Sequence, residues 1–327
     1  MATQPALEGQ NVGAFAETFE DIVANVGRVL QGKHEPTRLA LVCLASEGHL
    51  LLEDVPGVGK TSLAKALARS FGLEWRRIQF TPDLLPSDVT GASVYDRETG
   101  SFTFRPGGVF ANVVLGDEIN RASPKTQSAL LEAMQEGQVT VDNVTHPLPW
   151  PFLVIATQNP VEHEGTYPLP ESQLDRFLLR VRMGYPDRRA EMAMLSLDGA
   201  TSRPEDLPVV AGPAAVRTMV AISSEIHVAA SIKGYIVDLA TSTRDHPALA
   251  LGMSPRAALC LQRASKSLAA SAGREYVIPD DVKALAAPVL GHRLVLSPEA
   301  AVSGVEIAEV VEEIMHAVPV PSGRSAV

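Results

Sequence analysis

The residues best equipped for chemistry are Asp54-Val55-Pro56-Gly57-Val58-Gly59-Lys60-Thr61, set between the apolar run His49-Leu50-Leu51-Leu52 and a helical pattern from Ser62 to about Ser70. A strand, a glycine-containing loop and a helix start form the context in which backbone N–H groups turn inward around phosphate oxygens. Gly57, Val58, Gly59, Lys60, Thr61 and Ser62 are therefore the expected nucleotide cradle. Lys60 would reach the β- and γ-phosphates as a mobile point charge, and the Thr61 hydroxyl would ligate Mg²⁺. The generic pattern begins with glycine, whereas this loop begins with Asp54, a departure of one residue. Downstream, the apolar run Val109 to Leu115 ends in Gly116-Asp117-Glu118. Paired carboxylates at the C-terminal end of a strand supply the second half of a nucleotide-hydrolysis site. Asp117 would join Thr61 around the metal, and Glu118 would polarise the attacking water. An isolated Asp-Glu pair also suits a helix N-terminus for reasons of dipole alone, but a preceding phosphate loop favours the chemical reading.

Three further residues extend the constellation. Asn159 follows the apolar run Phe152 to Thr157, where its amide would sense the γ-phosphate or the attacking water; the plainer reading of Asn159-Pro160 is a turn. Arg176, in Leu174-Asp175-Arg176-Phe177, lies at an element boundary from which a guanidinium could enter a neighbour's site. On the residues alone, an ion pair with Asp175 or Glu171 is its simpler role. Arg256 follows Ser254-Pro255, an N-cap and first-turn proline, and its guanidinium could face the phosphates across a domain cleft.

The elements that must position these groups are legible in outline. Helical spacing marks Phe15 to Leu30 and Pro36 to Ala45 ahead of the loop, a region that serves either as packing or as adenine contact. Strands are expected at Glu74 to Phe80, Val109 to Leu115, Phe152 to Thr157 and Leu178 to Met183, with Arg180 and Arg182 on one face of the last. Pro124 to Glu136 reads as a helix stopped by Gly137. Two hairpins, Ser93 to Arg105 and Gln138 to Pro149, interrupt the alternation, either as surface features or as moving contacts. Beyond Tyr185-Pro186 alternating strands give way to Ala-rich helical segments at Ala214 to Ile226, Ala229 to Asp245, Pro255 to Ala272 and Pro279 to Leu290. The expected division is an α/β nucleotide-binding domain over residues 1–190 and a helical lid over 191–327, with Pro204 to Pro208 as linker, a loose lead-in before residue 11 and a disordered tail from Pro319.

Composition narrows the field. The chain has 327 residues, 46% of them hydrophobic and 20% charged, which fits a globular protein with a sizeable core. A net charge of −10 with 5% aromatic residues argues against nucleic acid as the main ligand. Cys43 and Cys260 form no metal-type pair and suggest a reducing compartment. With no signal-peptide pattern and no apolar run approaching ~20 residues, a cytoplasmic protein without a membrane span is expected. The histidines form no His-x-x-x-His pair, and no internal repeat is present.

Taken together, Leu52-Glu53-Asp54-Val55-Pro56-Gly57-Val58-Gly59-Lys60-Thr61, Gly116-Asp117-Glu118-Ile119-Asn120-Arg121-Ala122, Ala156-Thr157-Gln158-Asn159-Pro160, Gln173-Leu174-Asp175-Arg176-Phe177 and Ser254-Pro255-Arg256 resemble the AAA+ ATPases, and more closely their MoxR family. The likeness spans roughly residues 12–317. It implies Lys60 and Thr61 as Walker A, Asp117 and Glu118 as Walker B, Asn159 as sensor 1, Arg176 as arginine finger, with Arg180 close by, and Arg256 as sensor 2. It also implies ATP and Mg²⁺, a ring that is typically hexameric, and chaperone-like work on metal-containing enzyme complexes with a partner carrying a von Willebrand factor A domain. In this family an aspartate is an accepted first loop residue. Two rivals remain: a nucleotide-gated scaffold with little turnover, and a DNA-directed motor of the same hairpin-bearing branch.

Overall fold

The computed structural model describes residues 11–98, 100–159, 165–186, 188–196 and 203–321. Helix α1 (Val12–Gly27) is capped by Asn11 and buries Phe15, Phe19, Ile22 and Val26 along one stripe. Helix α2 (His34–Ala45) leads into β1 (Leu50–Glu53), and α3 (Lys60–Ser70) and β2 (Trp75–Gln79) follow. A single-turn α4 (Pro86–Thr90) precedes the hairpin β3 (Gly91–Asp96) and β4 (Ser101–Pro106). Next come β5 (Val113–Asp117), α5 (Pro124–Glu136), the hairpin β6 (Gln138–Val141) and β7 (Val144–Pro147), β8 (Leu153–Gln158), the short α6 (Glu171–Leu174), β9 (Leu179–Val181) and α7 (Arg188–Ser196).

The sheet order is β2-β5-β8-β1-β9, and every pairing in it is parallel. Leu50, Leu51, Leu52, Val114, Leu115, Val154 and Ile155 are buried in these strands, as a parallel sheet covered on both faces requires. Chain order and spatial order differ, and the strand that feeds the glycine loop sits beside β8 and one place from β5. Ligands of open α/β sheets bind outside the carboxyl ends at such a switch point. One apolar core joins α1, α2 and α3 to the C-terminal helices, and a second lies on the opposite face beneath α4, α5 and β6.

The C-terminal part comprises α8 (Pro213–Glu225), α9 (Ala230–Asp245), β10 (Leu249–Leu251), α10 (Pro255–Ser271), α11 (Pro279–Leu290), β11 (Val295–Leu296), α12 (Pro298–Val302) and α13 (Ile307–Ala317). The four expected lid helices are present within a residue or so. The small antiparallel pair β10–β11 and helices α12 and α13 were not expected. The apolar run from Val109 is a strand only from Val113 onward; Val109 to Ala111 form a loop in which Val109 and Ala111 are buried and Phe110 half-buried, their N–H groups bonded to turns around α4 and within the loop. Burial alone accounts for their apolar character. The stretch expected as linker makes a 3₁₀ turn (Pro204–Asp206) laid along α3, where Arg69 Nε donates to the Leu207 carbonyl at 2.9 Å. A division at 190/191 falls within α7. The expected lead-in and most of the expected tail lie outside the described residues. Among the described residues no helix is long and apolar enough to cross a membrane.

Candidate nucleotide site

β1 delivers the chain into a loop whose two glycines adopt φ +89° (Gly57) and φ +99° (Gly59). Side-chain-bearing residues avoid these values. At Gly59 a Cβ would in addition lie 2.8 Å from Leu30 Cδ2, so that methyl would have to shift on top of the backbone strain. Asp54 fastens the base of the loop: Oδ1 accepts the Val55 N–H at 2.8 Å and Oδ2 accepts the Gly184 N–H at 2.6 Å. Buried Lys33 reinforces the same corner, donating to the Met183 and Gly184 carbonyls at 3.0 and 2.6 Å. The glycine-to-aspartate departure thus has a structural cause, since the carboxylate ties the loop to the segment after β9. Lys60 Nζ donates to the Asp54 carbonyl at 2.6 Å, across the mouth that a phosphate would enter.

β5 carries Asp117 and Glu118 to the same end of the sheet. Thr157, fully buried on β8, donates from Oγ1 to Asp117 Oδ1 at 2.6 Å and accepts the Glu118 N–H at 2.9 Å. Arg77 on β2 donates to Asp117 Oδ2 through Nε at 3.0 Å and Nη2 at 2.5 Å. Glu118 Oε2 accepts from Gln79 Nε2 at 3.0 Å and Arg121 Nη1 at 2.9 Å, while its backbone sits at φ +57°. Left-handed backbone at a non-glycine residue is uncommon and concentrates at functional turns.

Of the residues expected from sequence, Gly57, Gly59, Lys60, Thr61, Ser62, Asp117, Glu118 and Asn159 line one cavity of about 370 Å³, and Arg77 joins them. Val58 is not in this lining; its side chain is buried in the core, and the role expected of it is a backbone N–H. The sequence reading missed Arg77, Gln79, Arg121 and Thr157. One signal was available: Arg77 and Gln79 stand at i and i+2 on β2, the edge strand beside apolar β5, so they share a face that has to do something polar.

Neither expected arginine lines this cavity. Arg176 Nη1 donates to the Leu131 carbonyl at 2.9 Å, and the simple ion pair with Asp175 or Glu171 is not formed. Asp175 is held instead by buried Arg293 from the segment after α11, Nε to Oδ1 at 2.7 Å, with Arg256 at 3.9 Å from Oδ2. Arg256, expected to face the phosphates across a domain cleft, thus lies beside Asp175 and outside the lining of the nucleotide cavity. The start of α10 lies beside Asp175, and the C-terminal helices pack on α1 and α2 in one shared core. Arg176 and Arg256 line a second cleft, of about 460 Å³, together. Arg180 is occupied inside the chain, donating to the Gly291 carbonyl at 2.7 Å and lying 3.4 Å from Glu53.

A parallel sheet of this order, a glycine loop after β1, an Asp-Glu pair after β5 and a helical C-terminal part define a nucleotide-binding domain with a lid. The family described as ATPase family associated with various cellular activities (AAA) matches residues 49–179, and the AAA lid domain matches residues 241–314. The chain is 40% identical to Chaperone MoxR1 of Mycobacterium tuberculosis, covering 97% of this chain and 86% of that one. It is 53% identical to Bacillus subtilis YeaC over 93% of this chain and 95% of that one. A crystal structure from Cytophaga hutchinsonii, described as a candidate ATPase, superposes with TM-score 0.88 at 37% identity, covering 95% of this chain and 97% of that one. The chain belongs to the MoxR family of AAA+ ATPases.

Proposed function

We propose that this chain hydrolyses ATP with Mg²⁺ at sites completed between copies of itself in a ring, six to the ring as in the family it resembles. One observation carries the reading: Lys60, Asp117 and Glu118 line one cavity, Arg176 and Arg256 line another, and the two linings share no residue. A guanidinium placed against developing phosphoryl charge is worth ~10³–10⁵ in rate, so a chain that carries such groups elsewhere gains most by lending them to a neighbour. Thr61 and Asp117 fit the metal: a hydroxyl and a carboxylate in one cavity are the hard oxygen donors Mg²⁺ takes. Arg77, now on Asp117, marks that carboxylate as one that accepts a cation. Bound Mg²⁺ would neutralise phosphate charge. Glu118 would orient and polarise water, Asn159 would register the γ-phosphate, and Lys60 would exchange the Asp54 carbonyl for phosphate oxygens.

The work done with this turnover is that of a chaperone acting on a client complex, in line with the name of the mycobacterial relative. A partner with a von Willebrand factor A domain, clients that include metal-containing enzymes, and a cytoplasmic setting complete the proposal. Glu118 in the cavity speaks against a scaffold without turnover, and the charge of −10 against a DNA-directed motor.

The test is ATPase rate against protein concentration, for wild type and Arg176→Ala. Specific activity that rises with concentration, and is lost in the variant without loss of assembly, supports a site completed in trans. Flat activity independent of Arg176 would end the ring proposal.

A further inference from the structure

We infer that Arg263 is a further cation of the interface site proposed above, standing in the cleft that Arg176 and Arg256 share so as to meet the terminal phosphates of a nucleotide held by a second copy of the chain. This rests on the trans reading proposed above and adds a residue that none of the sequence motifs marks.

The first support is charge. Arg176, Arg256, Arg263 and Lys266 line the cleft, against Glu47 and Asp175. Both carboxylates are already engaged, Asp175 by Arg293 at 2.7 Å and Glu47 by the Trp150 indole N–H at 3.1 Å. In a protein of net charge −10, a cleft with this excess of cations is built for an anion from outside. Lys266 donates to the Ser224 carbonyl at 2.6 Å, and burial first, then Lys233, pulls its ammonium below the usual lysine range. Arg263 is exposed and, among the described residues, makes no side-chain hydrogen bond or ion pair. It is the cleft's uncommitted guanidinium.

The second support is placement. Arg256 and Arg263 are two helical turns apart on α10, roughly 10 Å along its axis, and share a face. Leu259 lies between them and is 67% exposed. A free anion would gain nothing from that apolar side chain, whereas the rim of another protein would, so the anion is one that a protein brings.

The third is the deficit at the other end. The nucleotide cavity supplies Lys60 and Arg77 against Asp117 and Glu118, which is neutral before any phosphate arrives. A triphosphate there is under-compensated within one chain, and a second copy's arginine cleft is complementary to it.

The decisive experiment compares Arg263→Ala, Arg263→Lys and Arg176→Ala in nucleotide affinity at high dilution, assembly by sedimentation, and turnover of the assembled protein. Arg263→Ala is expected to bind nucleotide and assemble as wild type does, yet lose about 10- to 100-fold in kcat, the worth of a hydrogen bond to a charged group. Arg263→Lys should recover part of it. Mixing Arg263→Ala with Glu118→Gln, whose own site is dead but whose cleft is whole, should restore turnover, since some Arg263→Ala sites then meet a complete cleft. Unchanged kcat in Arg263→Ala beside a loss in Arg176→Ala overturns the assignment of Arg263 and leaves the interface site standing. A loss that mixing does not repair overturns its action in trans. Turnover indifferent to Arg176, Arg263 and protein concentration removes the interface reading itself.

Discussion

Glu118 has a backbone in the left-handed region and a carboxylate held by Gln79 and Arg121, so its position is fixed before any substrate arrives. Glu118→Gln keeps the shape and the hydrogen bonds but removes the base. The expected outcome is ATP binding near wild type with turnover down ~10²–10⁴-fold, measured by phosphate release beside a fluorescent-nucleotide titration. Turnover at the wild-type rate would take Glu118 out of the mechanism. Lys60→Ala should instead lose nucleotide affinity, and an unchanged titration would sink the loop assignment. At this scale sequence was most informative where neighbours in space are neighbours in the chain. The stretch from Gly57 to Ser62 reads directly, because one turn and one helix start hold all of it. Asp54 reads only as a departure from the pattern; its use became visible when Gly184, far along the chain, was found at 2.6 Å from its carboxylate. Arg77 stayed hidden for the same reason, since its partner Asp117 belongs to another strand.

Among the elements, the most consequential contact is made by a residue no pattern singled out. Buried Arg293, just beyond α11, bonds the Asp175 carboxylate and the carbonyls of Asp175, Phe177 and Leu178, so one guanidinium from the lid grips the segment that carries Arg176. Breaking a buried pair from one side strands the other partner, at a cost of ~3–5 kcal/mol, an upper figure here because the Asp175 carboxylate is partly exposed. Arg293→Met should therefore lower unfolding free energy in urea by roughly 2–5 kcal/mol. Arg256→Met, at an exposed guanidinium 3.9 Å from the same carboxylate, should cost under ~1 kcal/mol. Equal losses in the two variants would contradict the division of labour at Asp175. Elements with a strong local period, such as α5 with its Ser123 cap and left-handed Gly137, were legible to the residue. The start of β5 was not, because Val109 and Ala111 are apolar through burial beside α4 rather than through strand pairing. Which lid helix would meet which core segment depends on packing across more than a hundred residues of chain, and hydrophobic periodicity carries no such information.

For the whole molecule, two imidazoles, His292 buried and His49 half-buried, set an acid limit on stability. His49 accepts the Val154 N–H at Nδ1, 3.1 Å away, which leaves Nε2 to donate to the Met134 carbonyl at 2.9 Å. That is the neutral tautomer, and a second proton would displace the Val154 bond. Desolvation, opposed in part by Met134 and aided by the charge of Arg263, lowers its pKa to about 4. His292 is buried with Nε2 at 3.0 Å from the Phe177 carbonyl, and desolvation with Arg293 beside it pushes its pKa well below the ordinary value. In the unfolded chain both titrate near 6.5. Below that pH the unfolded state takes up protons that the folded state refuses, so stability is full above about pH 6.5 and falls as pH drops toward 4. One pH unit below the unfolded value, each histidine costs about 1.4 kcal/mol, an upper figure for His49, whose side chain is only partly enclosed. Urea unfolding at pH 7.5 and 5.5 should thus differ by up to ~3 kcal/mol, before the carboxylates begin to titrate. His292→Gln should remove about half of the difference. Both histidines bond to the framework around Arg176, His292 through Phe177 and His49 through α5, which also supplies the Leu131 carbonyl. Acid should therefore loosen the arginine cleft before it empties the nucleotide cavity, and turnover should fail at a higher pH than nucleotide binding does. Parallel loss of the two on lowering the pH would show that the cleft gains no rigidity from these histidines.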